Sequence, residues 1–223
     1  MAVSIAIDGP AGAGKSTIAK LVAAKLGFIY VDTGAMYRAM ALYFLENGIQ
    51  PEDEEKVSAA CGQIDISLRY QDGVQQVILN GRDVSGKIRT EAVGNAASVV
   101  SAYRAVRQAL LALQQNLAMT SNVIMDGRDI GTCVLPNAQT KIYLTASSHV
   151  RAIRRYKELT EKGQMCNLEE IEQDIIDRDY RDMHREIAPL TQAADAVLLD
   201  SSEMTIDQVV DGIIGAARER GLD

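Results

Sequence analysis

Residues 9–16, Gly9-Pro10-Ala11-Gly12-Ala13-Gly14-Lys15-Ser16, constrain this chain more than any other stretch. They satisfy G-x-x-x-x-G-K-[ST] at every defined position. The run also sits where such a loop must sit. Residues 3–7 form a short β-branched apolar run that stops at Asp8-Gly9-Pro10, and Ile18, Leu21, Val22 and Leu26 follow at helical spacing until Gly27. Strand, glycine loop and helix in that order let several backbone N–H groups converge on one anion, with the positive end of the helix behind them. Lys15 is then placed to bridge the outer phosphates of a nucleotide triphosphate, and the Ser16 hydroxyl to ligate Mg²⁺, with Thr17 next to it. A purely structural protein would leave Lys15 and Ser16 unexplained.

The rest of the chain alternates strand and helix around one interruption. Residues 28–31 are a second apolar run ending at Asp32-Thr33-Gly34, and residues 36–46 follow with a helical pattern. Residues 64–70 and 76–79 then alternate apolar and polar around Gln71-Asp72-Gly73, with Asn80-Gly81 beyond, which predicts a small antiparallel sheet. Two helical stretches are expected near 90–100 and 103–118. Strands follow at 123–125 and 141–144, then a charged helical segment over 148–185, a strand at 196–199 and a helix over 204–218. The predicted fold is α/β: a P-loop NTPase-type parallel sheet flanked by helices, with a small antiparallel β insert.

Composition limits what such a fold acts upon. The net charge of −7 argues against bulk nucleic acid or an anionic membrane as partner, although small anions need only a local cationic pocket. Aromatics are 4% of residues and Trp is absent, so aliphatic side chains must fill the core. Cys61, Cys133 and Cys166 are dispersed, form no C-x-x-C and pair with neither His149 nor His184 at metal spacing; they suit idle thiols in a reducing cytoplasm. No basic segment precedes the N-terminal apolar run, and no stretch approaches the ~20 apolar residues of a membrane span. No apolar stripe lacks a place in the core, which favours a monomer.

Three further motifs narrow the chemistry. Asp32-Thr33-Gly34-Ala35-Met36-Tyr37-Arg38 follows the second strand, Gly127-Arg128-Asp129 follows the third, and Arg178-Asp179-Tyr180-Arg181-Asp182 lies in the charged segment with Arg185 beyond. With the phosphate loop, the insert near 64–84 and Asn95-Ala96-Ala97-Ser98, these resemble the bacterial-type cytidylate kinases, a branch of the nucleoside monophosphate kinases. The resemblance runs nearly the whole chain. It implies ATP as phosphoryl donor, Mg²⁺, and CMP and dCMP as acceptors. It also implies three parts: a core (1–35, 86–147, 186–223), a monophosphate-binding region with the insert (36–85), and a short helical lid with its return helix (148–185). Carried over, Arg38 and Arg128 would grip the acceptor's phosphate, with Thr33 beside them. Ser98, Arg107, Asp129 and Arg185 would read the base, and Arg178 and Asp182 would hold the sugar hydroxyls. Lys15, Arg128 and the lid's Arg155 would be catalytic, with Arg151 and Arg154 as alternatives for facing the transferring group. Thr33 stands where many relatives carry Ser, which keeps the hydroxyl.

The residues themselves support parts of this. Asp8, Asp32, Asp126 and Asp129 follow apolar strands, at the carboxyl ends where parallel sheets bind ligands, and Asp126 is a candidate for a magnesium-bound water. Positions 178, 181, 182 and 185 share one helix face, although Asp174–Arg178 and Asp177–Arg181 are also spaced as surface ion pairs. A carboxylate suits cytosine's exocyclic amine, and Arg or Ser can donate to its O2 and N3. The alternatives are another small-molecule kinase, for UMP, AMP or shikimate, and a GTP-binding switch. For the switch, Thr140-Lys141-Ile142-Tyr143 lacks the closing Asp of a guanine motif.

Overall fold

The computed structural model describes residues 2–222. Five strands form one fully parallel sheet: β1 (Ser4–Asp8), β2 (Ile29–Asp32), β6 (Val123–Gly127), β7 (Thr140–Thr145) and β8 (Val197–Asp200), in the order β2-β6-β1-β7-β8. β1 is central and buried at every position, as a run of β-branched residues on both faces requires. Helices α1 (Lys15–Leu26) and α8 (Ile206–Glu219) cover one face through Ile18, Val22, Val210 and Ile213. On the other face α2 (Thr33–Glu46), α4 (Glu91–Val100) and α5 (Arg104–Thr120) bury Met36, Met40, Val93, Val106 and Leu110.

The insert consists of α3 (Glu54–Ala60), a short 3₁₀ turn at Cys61–Gln63, and a three-stranded antiparallel sheet of β3 (Ile66–Gln71), β4 (Val74–Leu79) and β5 (Arg82–Asp83). Both of its turns are two residues long, Asp72-Gly73 and Asn80-Gly81, and all four residues have positive φ, as a type I′ hairpin turn demands. Beyond the core, α6 (Ser148–Glu161) and α7 (Leu168–His184) pack as an antiparallel arm. The expected single charged segment is therefore broken at residues 162–167, where Gly163 takes φ 72° and Asn167 caps α7.

One local expectation needs correction. The helical pattern is expected from residue 36, but α2 begins at Thr33 because Asp32 Oδ1 accepts from Ala35 N at 2.8 Å and caps the helix. α3 and β5 went unpredicted, as did the turn of π-helix at Ile130–Val134.

Candidate active site

Registers Asp8↔Gly127 and Asp32↔Asp126 bring the carboxyl ends of β1, β2 and β6 level. Above them lies a cavity of about 530 Å³. Gly9 approaches β7 so closely that a Cβ there would lie 1.9 Å from the Leu144 carbonyl oxygen, and its φ is 150°. No other residue fits. Lys15 Nζ donates to the carbonyls of Gly9 and Pro10, both at 2.7 Å, and is buried. Burial, and then the charge of Arg128, hold its pKa well below the ordinary lysine value.

Ser16 Oγ donates to Asp126 Oδ2 at 2.7 Å, while Tyr30 OH donates to Oδ1 at 3.0 Å and Thr33 Oγ1 to the Asp126 carbonyl at 2.7 Å. Burial and the nearby Asp32 push the Asp126 carboxyl upward. A hydroxyl and a carboxylate side by side are hard oxygen donors of the kind Mg²⁺ takes together with phosphate. Among the described residues no group of three or more His, Cys, Asp or Glu could hold a metal without such help.

Across the cavity, arginines are held by carboxylates. Arg38 Nη2 donates to Asp32 Oδ2 at 2.9 Å, and Arg128 Nε to Asp182 Oδ2 at 2.9 Å. Arg38 Nε and Arg178 Nε are buried with no partner in the protein, so donors remain for an anion. Burial raises the Asp182 carboxyl, but Arg128 and Arg178 outweigh it and hold it below the usual range. Burial and the neighbouring Arg128 lower Arg178. Asp129 accepts from Arg107 at one oxygen and from Arg185 at the other, the latter at 3.4 Å. Arg107 also donates to the Ser101 carbonyl and lies 5.6 Å over the Tyr37 ring, whose hydroxyl burial pushes up to about 12. Ser98 lines the cavity beside them.

The cavity wall includes Lys15, Ser16, Thr17, Thr33, Arg38, Ser98, Arg107, Arg128, Asp129, Arg155, Arg178, Asp182 and Arg185, and of the glycine loop Ala11, Gly12 and Gly14. Gly9, Pro10 and Ala13 lie buried beneath the loop instead. Arg181 is exposed and stands outside the wall. The three arm arginines differ in kind. Arg155 is half exposed and pairs with Glu158, and Arg154 donates to the Ser201 carbonyl. Arg151 is buried and donates to Ala146 O, Ala11 O and Asp179 Oδ2 at 2.8, 2.9 and 2.5 Å. Asp8, whose carboxylate accepts from Ile130 N at 2.8 Å and Gly131 N at 2.7 Å, had no assigned role; its only sequence signal is a lone Asp at a strand end.

A glycine loop built for phosphates, opening onto a closed cluster of arginines, makes this a P-loop phosphotransferase. The chain matches the cytidylate kinase family over residues 5–219. It is 50% identical over 212 residues to a cytidylate kinase of Caldicellulosiruptor bescii, covering 95% of this chain and 94% of that one. It is 52% identical over 206 residues to one of Leuconostoc mesenteroides, covering 92% of each. A solved structure of an uncharacterized protein from Eubacterium ventriosum shares the fold, with TM-score 0.55 at 10% identity over 98% of this chain and 99% of that one. The chain belongs to the cytidylate kinase family. No helix among the described residues is long and apolar enough to cross a membrane.

Proposed function

We propose that this enzyme transfers the γ-phosphoryl group of ATP, with Mg²⁺, to CMP or dCMP. The observation that carries the acceptor's identity is Asp129, 4% exposed and gripped by Arg107 and Arg185 in the same cavity as the phosphate loop. Cytosine's amine would donate to that carboxylate, and the two arginines with Ser98 would donate to O2 and N3. Uracil turns a carbonyl toward Asp129 and places a proton on N3. Both mismatches leave buried polar groups unpaired, at about 1–3 kcal/mol or more each.

No general base is required. A phosphate monoester with a second pKa of ~6 already presents an anionic oxygen near neutrality. The obstacle is repulsion between two anions, so catalysis consists of alignment, charge neutralisation and exclusion of water. Arg38 and Arg128 hold the acceptor phosphate, with Thr33 beside Asp126 below them. Arg178 and Asp182 hold the sugar. Lys15 and the arm arginines, Arg155 foremost, neutralise the moving group. Mg²⁺, bound at Ser16 and through a water at Asp126, would neutralise the donor's outer phosphates when present.

In this reading residues 1–35, 86–147 and 186–223 are the core, 36–85 the acceptor region and 148–185 the lid with its return helix. A coupled ADP-release assay with CMP, dCMP, UMP, AMP and shikimate tests it. Turnover with CMP and dCMP should exceed that with UMP by a hundredfold or so in kcat/KM, and Asp129→Asn should shrink that ratio. Equal efficiency with CMP and UMP would defeat the base-pocket assignment.

A further inference from the structure

The insert lends no side chain to the wall of the active-site cavity, yet it is stitched to the residue that holds Arg38. β2 is an edge strand, so its outward N–H and C=O groups have no strand to pair with. The β3–β4 hairpin supplies partners from side chains instead. Gln75 Oε1 accepts from Asp32 N at 2.9 Å and Gln75 Nε2 donates to Asp32 O at 3.2 Å. One amide thus imitates the paired bonds of a sheet ladder. Two residues back, on the same side of the strand, Tyr70 OH donates to Tyr30 O at 3.3 Å.

At this end of the hairpin an open space replaces apolar packing. A cavity of about 480 Å³ lies between it, β2 and α1, bordered by Tyr70, Gln75, Arg89 and Lys20. Val77 and Leu79 anchor the far part of β4 in the core beside α2, but at the Gln75 end, where the cavity intervenes, side-chain hydrogen bonds bridge the hairpin to β2. The Asp32 that Gln75 grips by the backbone uses its carboxylate for three tasks. It caps α2 at Ala35 N, holds Arg38 at 2.9 Å, and accepts Arg89 Nη2 at 3.1 Å. Arg89 precedes α4 and joins the same oxygen as Arg38.

We propose that Gln75 is a positioning residue: by clamping the backbone of Asp32 it sets the Asp32–Arg38 ion pair and through it the affinity for the acceptor's phosphate. The inference rests on the reading of Arg38 as a phosphate ligand. Without the clamp, Asp32 and the start of α2 gain freedom, and Arg38 is presented over a range of positions. The glycine loop leads into α1 and is held by Arg151 of α6, and β2 meets the donor side through the Tyr30 hydroxyl on Asp126 rather than through Gln75, so the donor's constants change little.

The test is steady-state kinetics with calorimetric CMP binding on Gln75→Leu, Arg38→Met and the double variant, with thermal denaturation to verify folding. Gln75→Leu should raise KM and Kd for CMP about tenfold, roughly what two neutral hydrogen bonds are worth, with kcat and the KM for ATP within about twofold. Arg38→Met should raise the same constants further, and adding Gln75→Leu to it should change nothing more. Tyr70→Phe, which removes one part-buried bond and keeps the ring, should move only the CMP constants, by a smaller factor. Unchanged CMP constants in Gln75→Leu, equal losses for both substrates, or full additivity with Arg38→Met would overturn the clamp while leaving Arg38 as a ligand. Unchanged CMP binding in Arg38→Met would overturn both the clamp and the reading on which it rests.

Discussion

Asp8 is subject to opposed demands. Its ionised carboxylate is what accepts from Ile130 N and Gly131 N, strapping down the turn that follows Asp129. Yet burial pushes its pKa up to about 6 from 3.8, with Asp129 adding to the rise, while the two backbone bonds and Lys15 act the other way. A carboxyl whose folded pKa lies above its unfolded value stabilises the fold fully below about 3.8. That contribution is lost as pH climbs through about 6. The change is about 3 kcal/mol across that window. Asp8→Asn does not titrate. Urea denaturation of wild type and Asp8→Asn should therefore show the wild type losing about 2 kcal/mol relative to the variant between pH 4 and pH 7. A pH-independent difference would mean that Asp8 ionises as freely in the fold as outside it. At neighbouring Gly9, any side chain would strike the Leu144 carbonyl. Gly9→Ala should fail to accumulate as folded protein, by at least about 3 kcal/mol, as measured by soluble yield and denaturation.

At the scale of elements, Arg151 hydrogen-bonds the α6–α7 arm to the phosphate loop. Arg151 joins the loop at Ala11 O, its own helix start at Ala146 O, and α7 at Asp179. Arg151→Met should weaken ATP binding about tenfold and cost about 2–3 kcal/mol of stability, because the largely covered Asp179 carboxylate is left unpaired. Adding Asp179→Leu should restore stability but not ATP affinity, which nucleotide titration and urea melts would separate. None of this was legible in the sequence, where Arg151 is one of three arm arginines and its partners lie 140 and 28 positions away. What could be read was local. The glycine loop, the two hairpin turns and the shared face of Arg178 and Asp182 follow from spacing within a few residues. The four-residue face expected over 178–185 is not kept: Arg181 is exposed outside the cavity wall, and Arg185 lies past the end of α7 in extended backbone. Even there spacing left an ambiguity that only packing resolved. The i,i+4 pairs Asp174–Arg178 and Asp177–Arg181 do not form among the described residues: Asp177 accepts from Gln173, and Arg178 turns into the cavity. The missed elements were short or non-local. β5 has two residues, too few for alternation, and the Ile130–Val134 turn is held by Asp8 from 122 positions away. α3 did carry a signal, Asp53 as cap before Glu54 and Glu55, but at seven residues it spans less than two turns, too short for its periodicity to stand out.

For the whole molecule, the distribution of charge matters more than its total. The active-site wall carries nine Lys and Arg side chains against five carboxylates, while the chain's net charge is −7. The remaining surface is therefore more acidic than the total suggests. An extended polyanion meets that acidic surface over its whole length, whereas a mononucleotide that enters the cavity feels mainly the cations within. Such a distribution favours capture of a small anion over an extended one, so attraction and selection would arise from the same charges. It also predicts a salt effect confined to capture. Raising ionic strength from about 0.01 M to about 0.15 M shortens the screening length from ~30 Å to ~8 Å. The acceptor's KM should rise several-fold over that range with kcat nearly constant, since groups in contact inside the cavity are screened far less than the approach to it. Arg155→Gln, which removes a half-exposed cation at the rim, should flatten that dependence, whereas Lys15→Ala should abolish turnover at every salt concentration. A KM indifferent to salt would place recognition entirely in short-range contacts and leave the acidic exterior without a part in selection.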